Sequence, residues 1–168
     1  MIDPAFCRTM ARYNLWQNSN VMDAADTLDD AGRNLDRGSY FGSIQGTLNH
    51  LLWADRMWMS RFDGWAKPKG DIPRSVEIIS DWQAYKQARS IADTRILDWS
   101  LRLMVGDLQG DLVWFSGMLQ TDLAKPKWLC VQHFFNHQTH HRGQVHAMLT
   151  AARALTGDTD LFLMTEGD

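Results

Sequence analysis

The sequence predicts an all-α protein, a four-helix bundle with a short β-hairpin or extended excursion before its last helix. Three observations carry this. Apolar residues recur at three- and four-residue spacing in four long segments, Gly, Pro, Asn and Asp gather between them, and one stretch before the fourth segment turns β-prone. At 168 residues the chain can close a core without disulfides or a structural metal, so residues 1–168 read as a single domain.

The first helix runs from Pro4 to about Leu28, with Phe6, Met10, Tyr13, Leu15, Trp16, Val21, Met22 and Ala25 on its apolar side and Pro4 suited to its opening turn. Residues 29–42 carry structure-breaking Gly, Asn and Asp and read as a loop. Ser43 caps the second helix, whose apolar side passes through Ile44, Leu48, Leu51, Leu52, Trp58, Met59 and Phe62, and which contains His50 and Asp55. Two prolines and two glycines make 63–73 a long connection. Ser75 or Ser80 starts a third helix reaching about Leu103, with Ile79, Trp82, Tyr85, Ala88, Ile91, Ala92, Ile96 and Trp99 facing inward. Between Gly106 and Lys127 the β-prone residues flank a turn at Ser116-Gly117. Pro126 opens the fourth helix, which extends to about Leu155, and the apolar residues of 157–164 are expected to pack back on the bundle.

Composition excludes several functions. The net charge is −3 and Lys and Arg are scattered, so there is no basic run to track a phosphate backbone and nucleic-acid binding is not expected. Cys7 and Cys130 lack Cys-x-x-Cys spacing, the start has neither a basic nor an apolar leader region, and no apolar run reaches membrane length; a soluble, reduced, cytoplasmic protein is expected. Glu77 and Glu166 are the only glutamates, too few for a carboxylate di-iron bundle. No His-Glu-x-x-His, Walker A or Gly-x-Ser-x-Gly occurs. Cys130, early in an apolar helix, reads as packed rather than nucleophilic.

Eight Trp and nine Met foretell a core rich in aromatic and thioether contacts, but the chemistry-bearing residues are the histidines. Five of six fall between His133 and His146, and the sixth, His50, lies on the second helix among Leu and Trp. Positions four apart share a helix face, so His133, His137 and His141 form a stripe that Gln144, Val145, Met148 and Ala152 continue, while His140 is offset. Two imidazoles at i, i+4 can direct nitrogens to one point, and a buried, isolated His50 placed opposite them would be satisfied as a third ligand. The residues thus single out His50, His137 and His141 as metal ligands, with hydrogen-bonded core histidines an alternative that the spacing leaves open. His133 falls near a bundle end as a pocket or outer residue, and His140 and His146 read as surface or interface positions.

The segments Phe41-Gly-Ser-Ile-Gln-Gly-Thr-Leu-Asn-His50-Leu-Leu-Trp-Ala-Asp and Phe135-Asn-His137-Gln-Thr-His-His141-Arg-Gly-Gln, with the opening Tyr13-Asn-Leu-Trp-Gln-Asn, resemble the DinB family of the DinB/YfiT-like superfamily. The resemblance implies a four-helix bundle, a three-histidine site for a divalent metal, usually zinc or nickel, and a homodimer. It also implies chemistry on a small molecule, since related enzymes use low-molecular-weight thiols. Three imidazoles leave a position for water or substrate, as in a catalytic zinc site, and suit a metal-dependent thiol transferase or hydrolase; the alternative is a non-catalytic protein with a structural or sensing ion. Asp55, between one and two turns beyond His50, and Gln144, one turn beyond His141, are candidates to orient ligand or substrate. Arg142 points about a hundred degrees from His141 and could hold a carboxylate or bind a helix partner, with Gly143 permitting close approach.

Overall fold

The computed structural model describes residues 2–165; Glu166 therefore lies outside the described residues. Four long helices form the bundle: α1 (Pro4–Asp26), α3 (Ile44–Phe62), α4 (Trp82–Arg102) and α5 (Lys127–Ala151), with a short α2 (Asp30–Asn34) after the first. Helix α1 packs on α4 and α5, and α3 packs on the same two, so α1 and α3 occupy opposite corners. Strands β1 (Asp111–Ser116) and β2 (Thr121–Pro126) form the antiparallel hairpin before α5, in register from Asp111 opposite Pro126 to Ser116 opposite Thr121.

The helix starts follow the caps. Asp3 accepts the Phe6 N–H with Pro4 in the first turn of α1, and Ser43 accepts the Gly46 N–H at the start of α3. Helix α4 begins later than the serines suggest, because Pro73–Glu77 forms a 3-10 turn against α3 and Asp81 supplies the cap, accepting the Ala84 N–H at 2.7 Å. Within the expected loop, Asp29 caps α2 by accepting the Gly32 N–H, a one-turn helix too short to show apolar periodicity. Helix α5 stops at Ala151 because Arg153 turns to a positive φ of 63° and the Ala154 N–H bonds back to Leu149 O, closing the helix end without a glycine.

The core is aromatic as expected. Phe134 and Phe135 of α5 are fully buried, Phe6 meets Phe135 edge-on, and Phe62 stacks on Trp99 at 5.7 Å. Two expectations of burial fail. Ile91 is 54% exposed on the outer face of α4, and Leu161, Phe162 and Leu163 remain exposed. The C-terminal segment docks on α1 through polar groups instead, the Tyr13 hydroxyl donating to Thr159 O and the Gln17 amide to Asp158 O. No helix of the described residues is long and apolar enough to cross a membrane.

Cys7 and Cys130 are buried free thiols, and burial pushes the Cys7 thiol up to about 12 and raises that of Cys130. Neither is poised to ionise at neutral pH.

Candidate metal centre

Helices α3 and α5 bring His50, His137 and His141 together, each offering one nitrogen within 4.8 Å of the other two. His137 Nε2 lies 3.4 Å from His50 Nε2 and 3.1 Å from His141 Nε2. Nitrogens bound at about 2.0–2.1 Å to one tetrahedral ion stand roughly 3.3 Å apart, so these two spacings fit a shared cation.

The outer atoms of the rings decide their tautomers. Ser75 Oγ donates to Ile72 O at 2.6 Å, so its contact of 2.8 Å with His50 Nδ1 is one in which the imidazole N–H donates. Gln144 Oε1 accepts from His141 Nδ1 at 2.7 Å in the same way. Both rings therefore present an Nε2 lone pair toward His137. A hydrogen on His137 Nε2 could serve only one of those two lone pairs, whereas a cation serves all three nitrogens. The donor set, its spacing and its tautomers fit a divalent ion.

Electrostatics agree. Burial, with the neighbouring imidazoles, pulls His50 and His137 down to about 3, and burial lowers His141 against the opposing bond from Gln144. The rings are neutral at physiological pH, the form that binds metal. Phe41 stacks on His50 with centroids 3.8 Å apart, and it is held there by the first turn of α3: a Cβ at Gly46 would stand 2.6 Å from the Phe41 carbonyl oxygen.

The other expected residues separate into different roles. Gln144 orients His141. His133 is exposed, packs edge-on against Trp58, and lines the mouth of a cavity of about 570 Å³ that His50 and His137 also border. His140 is exposed and His146 is half-buried, its Nε2 3.2 Å from Thr156 Oγ1.

Asp55 is fully buried, its carboxylate accepting from Arg89 at 2.6 Å and Gln138 at 3.0 Å. Among the described residues, Arg142 is buried over the Tyr13 ring with no hydrogen-bond partner at either Nη, and a Cβ at Gly143 would meet nothing within 4 Å, so none of them approaches the helix closely there. Ser75, expected at a helix start, stands instead behind His50; that role has no signal in spacing, because the 3-10 turn that delivers it is a tertiary feature.

A helical bundle whose facing helices present three convergent, neutral imidazoles beside an open cavity could hold a metal ion at an accessible position. The DinB family model matches residues 1–163, and the chain belongs to the DinB family. It is 25% identical over 163 residues to Protein DinB of Bacillus subtilis (strain 168), covering 92% of this chain and 91% of that protein. Its fold is also that of a DinB-like protein from Bacillus cereus ATCC 10987, whose crystal structure superposes with a TM-score of 0.64 at 16% identity, covering 87% of this chain and 90% of that one.

Proposed function

We propose that this protein is a divalent-metal enzyme that activates a small thiol or water at His50, His137 and His141. The observation that supports it is the convergence of three Nε2 atoms beside the 570 Å³ cavity, an arrangement with protein on one side and space for a reactant on the other. Imidazole donors suit zinc or nickel. Such an ion acts as a Lewis acid that lowers the pKa of a thiol or water toward neutrality. The chain's own residues do the rest: Ser75 and Gln144 hold the ring tautomers, Phe41 covers His50 on one face, and His133 stands at the cavity mouth.

The second reading is a non-catalytic protein in which the ion stabilises the bundle or signals metal availability. It is favoured by the commitment of Asp55 to Arg89 and Gln138, which removes that carboxylate as a general base. Elemental analysis and metal titration of wild type and His137→Ala test the shared premise: the variant is expected to lose the bound metal, and equal content in both ends the ligand assignment. A screen of low-molecular-weight thiols with electrophilic acceptors then separates the readings, since metal-dependent turnover supports the enzyme and a large loss of thermal stability on chelation without turnover supports the structural ion. A cytoplasmic homodimer belongs to the same proposal, supported by the exposed apolar Leu101, Met104 and Val105 at the end of α4 and just beyond it, and sedimentation in solution tests the dimer.

A further inference from the structure

The cavity beside the histidines has a charge distribution that goes beyond metal binding. Its walls are largely apolar: Met57 and Trp58 from α3 face Trp114, Phe115, Met118 and Leu119 of the hairpin. Phe115, Met118 and Leu119 are each more than half exposed, so the hairpin holds uncovered apolar surface over the opening. Into this wall α3 sends Arg61, whose guanidinium carbon lies 4.5 Å from the Trp58 ring and 5.2 Å from the Trp114 ring.

Arg61 forms no ion pair and no side-chain hydrogen bond with any described residue, although Arg89, Arg33 and Arg102 each have a carboxylate. Burial lowers its pKa without removing its charge. The two indoles meet edge-on, their ring centroids 5.7 Å apart, and the guanidinium packs against both; with no carboxylate partner among the described residues it has N–H groups to offer, and a guanidinium fork matches a carboxylate in bidentate fashion. The other charged side chains on the cavity wall are Lys67, which is exposed, and Asp71, which accepts the Arg74 N–H at the rim.

We infer that this cavity binds a small carboxylic acid with an apolar, aromatic body: the carboxylate sits on Arg61, the body lies between Trp58 and the hairpin, and the far end reaches His50 and His137. The inference rests on the metal-centre reading for the orientation of the reacting end, and the carboxylate subsite stands on Arg61 alone. One guanidinium fork, with an exposed lysine and the Asp71 carboxylate as the other charges on the wall, suits one carboxylate better than a doubly charged phosphate.

Quenching of tryptophan fluorescence measures it, with 3-phenylpropanoate, its amide 3-phenylpropanamide, and phenyl phosphate as probes, on metal-loaded wild type and on His137→Ala, Arg61→Gln, Lys67→Gln and the His137→Ala/Arg61→Gln double variant. In His137→Ala, where metal ligation of the acid is removed, the acid is expected to bind at least about tenfold more tightly than the amide, the scale of a charge-assisted pair. That preference disappears in the double variant and survives in Lys67→Gln, while the metal content of Arg61→Gln stays at the wild-type level. Equal binding of acid and amide in His137→Ala, preference only when metal is loaded, retention of the preference without Arg61, tighter binding of phenyl phosphate, or no saturable binding of the acid would each overturn the inference. Circular dichroism of each variant establishes folding, and Arg61→Lys, which keeps charge without the fork, is expected to retain part of the preference. Metal retention by His137→Ala with the acid preference intact would instead remove the metal assignment and leave the carboxylate subsite standing.

Discussion

Helices α3 and α5 share two buried polar clusters. In one, Arg89 of α4 is 1% exposed and lies between Asp55 and Asp93, pairing with the first at 2.6 Å and the second at 2.8 Å. Gln138 links Asp55 to Asn14 of α1, and Asn18 donates to Asp93, so all four long helices meet in a chain of side-chain bonds. In the other cluster three imidazoles face one another, His50 and His141 with their hydrogens turned outward. The first cluster supplies its own counter-charges; the second is a set of neutral donors that could hold a cation. Gln138 and His137 are adjacent in sequence, so one turn of α5 serves both, with its buried amide facing the ion-pair network and its imidazole facing the cavity.

Breaking the closed cluster should have the largest effect on folding. Asp55→Ala leaves Arg89 with one carboxylate in a fully buried position, and removing one member of such a pair costs about 3–5 kcal/mol. Urea unfolding should show that loss, whereas His137→Ala, compared with wild type in chelator, should differ by no more than about 1 kcal/mol, since a partly exposed ring is removed without stranding a charge. A larger stability loss from His137→Ala than from Asp55→Ala would reverse the assignment of the two clusters.

The outer partners come next. Ser75→Ala and Gln144→Ala each release one ring tautomer and should weaken metal affinity by about 10–100-fold while leaving the ligand set intact. Competition titration with a chelating dye measures this, and unchanged affinity in both variants would mean that the imidazoles need no orientation from behind.

Acid should act on the clusters in opposite directions. Burial raises Asp93 from 3.8 to about 6, so between those values the folded protein binds more protons than the unfolded chain, and Asp93 adds stability as the pH falls through that window. His50 and His137 drop from 6.5 to about 3, so the folded protein binds fewer protons there and their contribution is lost as the pH falls from 6.5 toward 3. Asp93→Asn isolates the first effect: in chelator, its stability relative to wild type should be more favourable at pH 7 than at pH 5. A shift of the opposite sign would show that both carboxylates stay ionised around Arg89.

How much of this was legible in the sequence follows from range. The bundle, the helix starts at Pro4 and Ser43, the hairpin and the convergence of His50 with His137 and His141 are written in spacings within single helices plus one buried imidazole needing a partner. The closed cluster was not legible, because Arg89 and Asp93 look like an ordinary i, i+4 surface pair and Asp55 looks like a neighbour of His50; only packing shows that they face each other. Ser75 looks like a helix start for the same reason, and Arg61 looks like a helix-end cation until the hairpin brings Trp114 over it.

The smallest expected effect separates two glycines in the helices that build the metal centre. Glycine in a helix interior ordinarily costs up to about 1 kcal/mol relative to alanine. Gly143 on α5 is exposed, and a methyl group added there would have nothing within 4 Å, so Gly143→Ala should recover that stability and leave metal affinity unchanged. At Gly46 the same methyl would stand 2.6 Å from the Phe41 carbonyl oxygen, a backbone atom that cannot swing aside. Since Phe41 stacks on His50, the displacement reaches the site, and Gly46→Ala should lose stability and weaken metal binding, by less than Ser75→Ala does because the Nδ1 bond remains. Paired unfolding and metal titrations of the two variants measure both effects. A stability gain at Gly46 equal to that at Gly143 would show that the segment before α3 yields freely, and that the face of His50 opposite the cavity is covered by a neighbour rather than held by one.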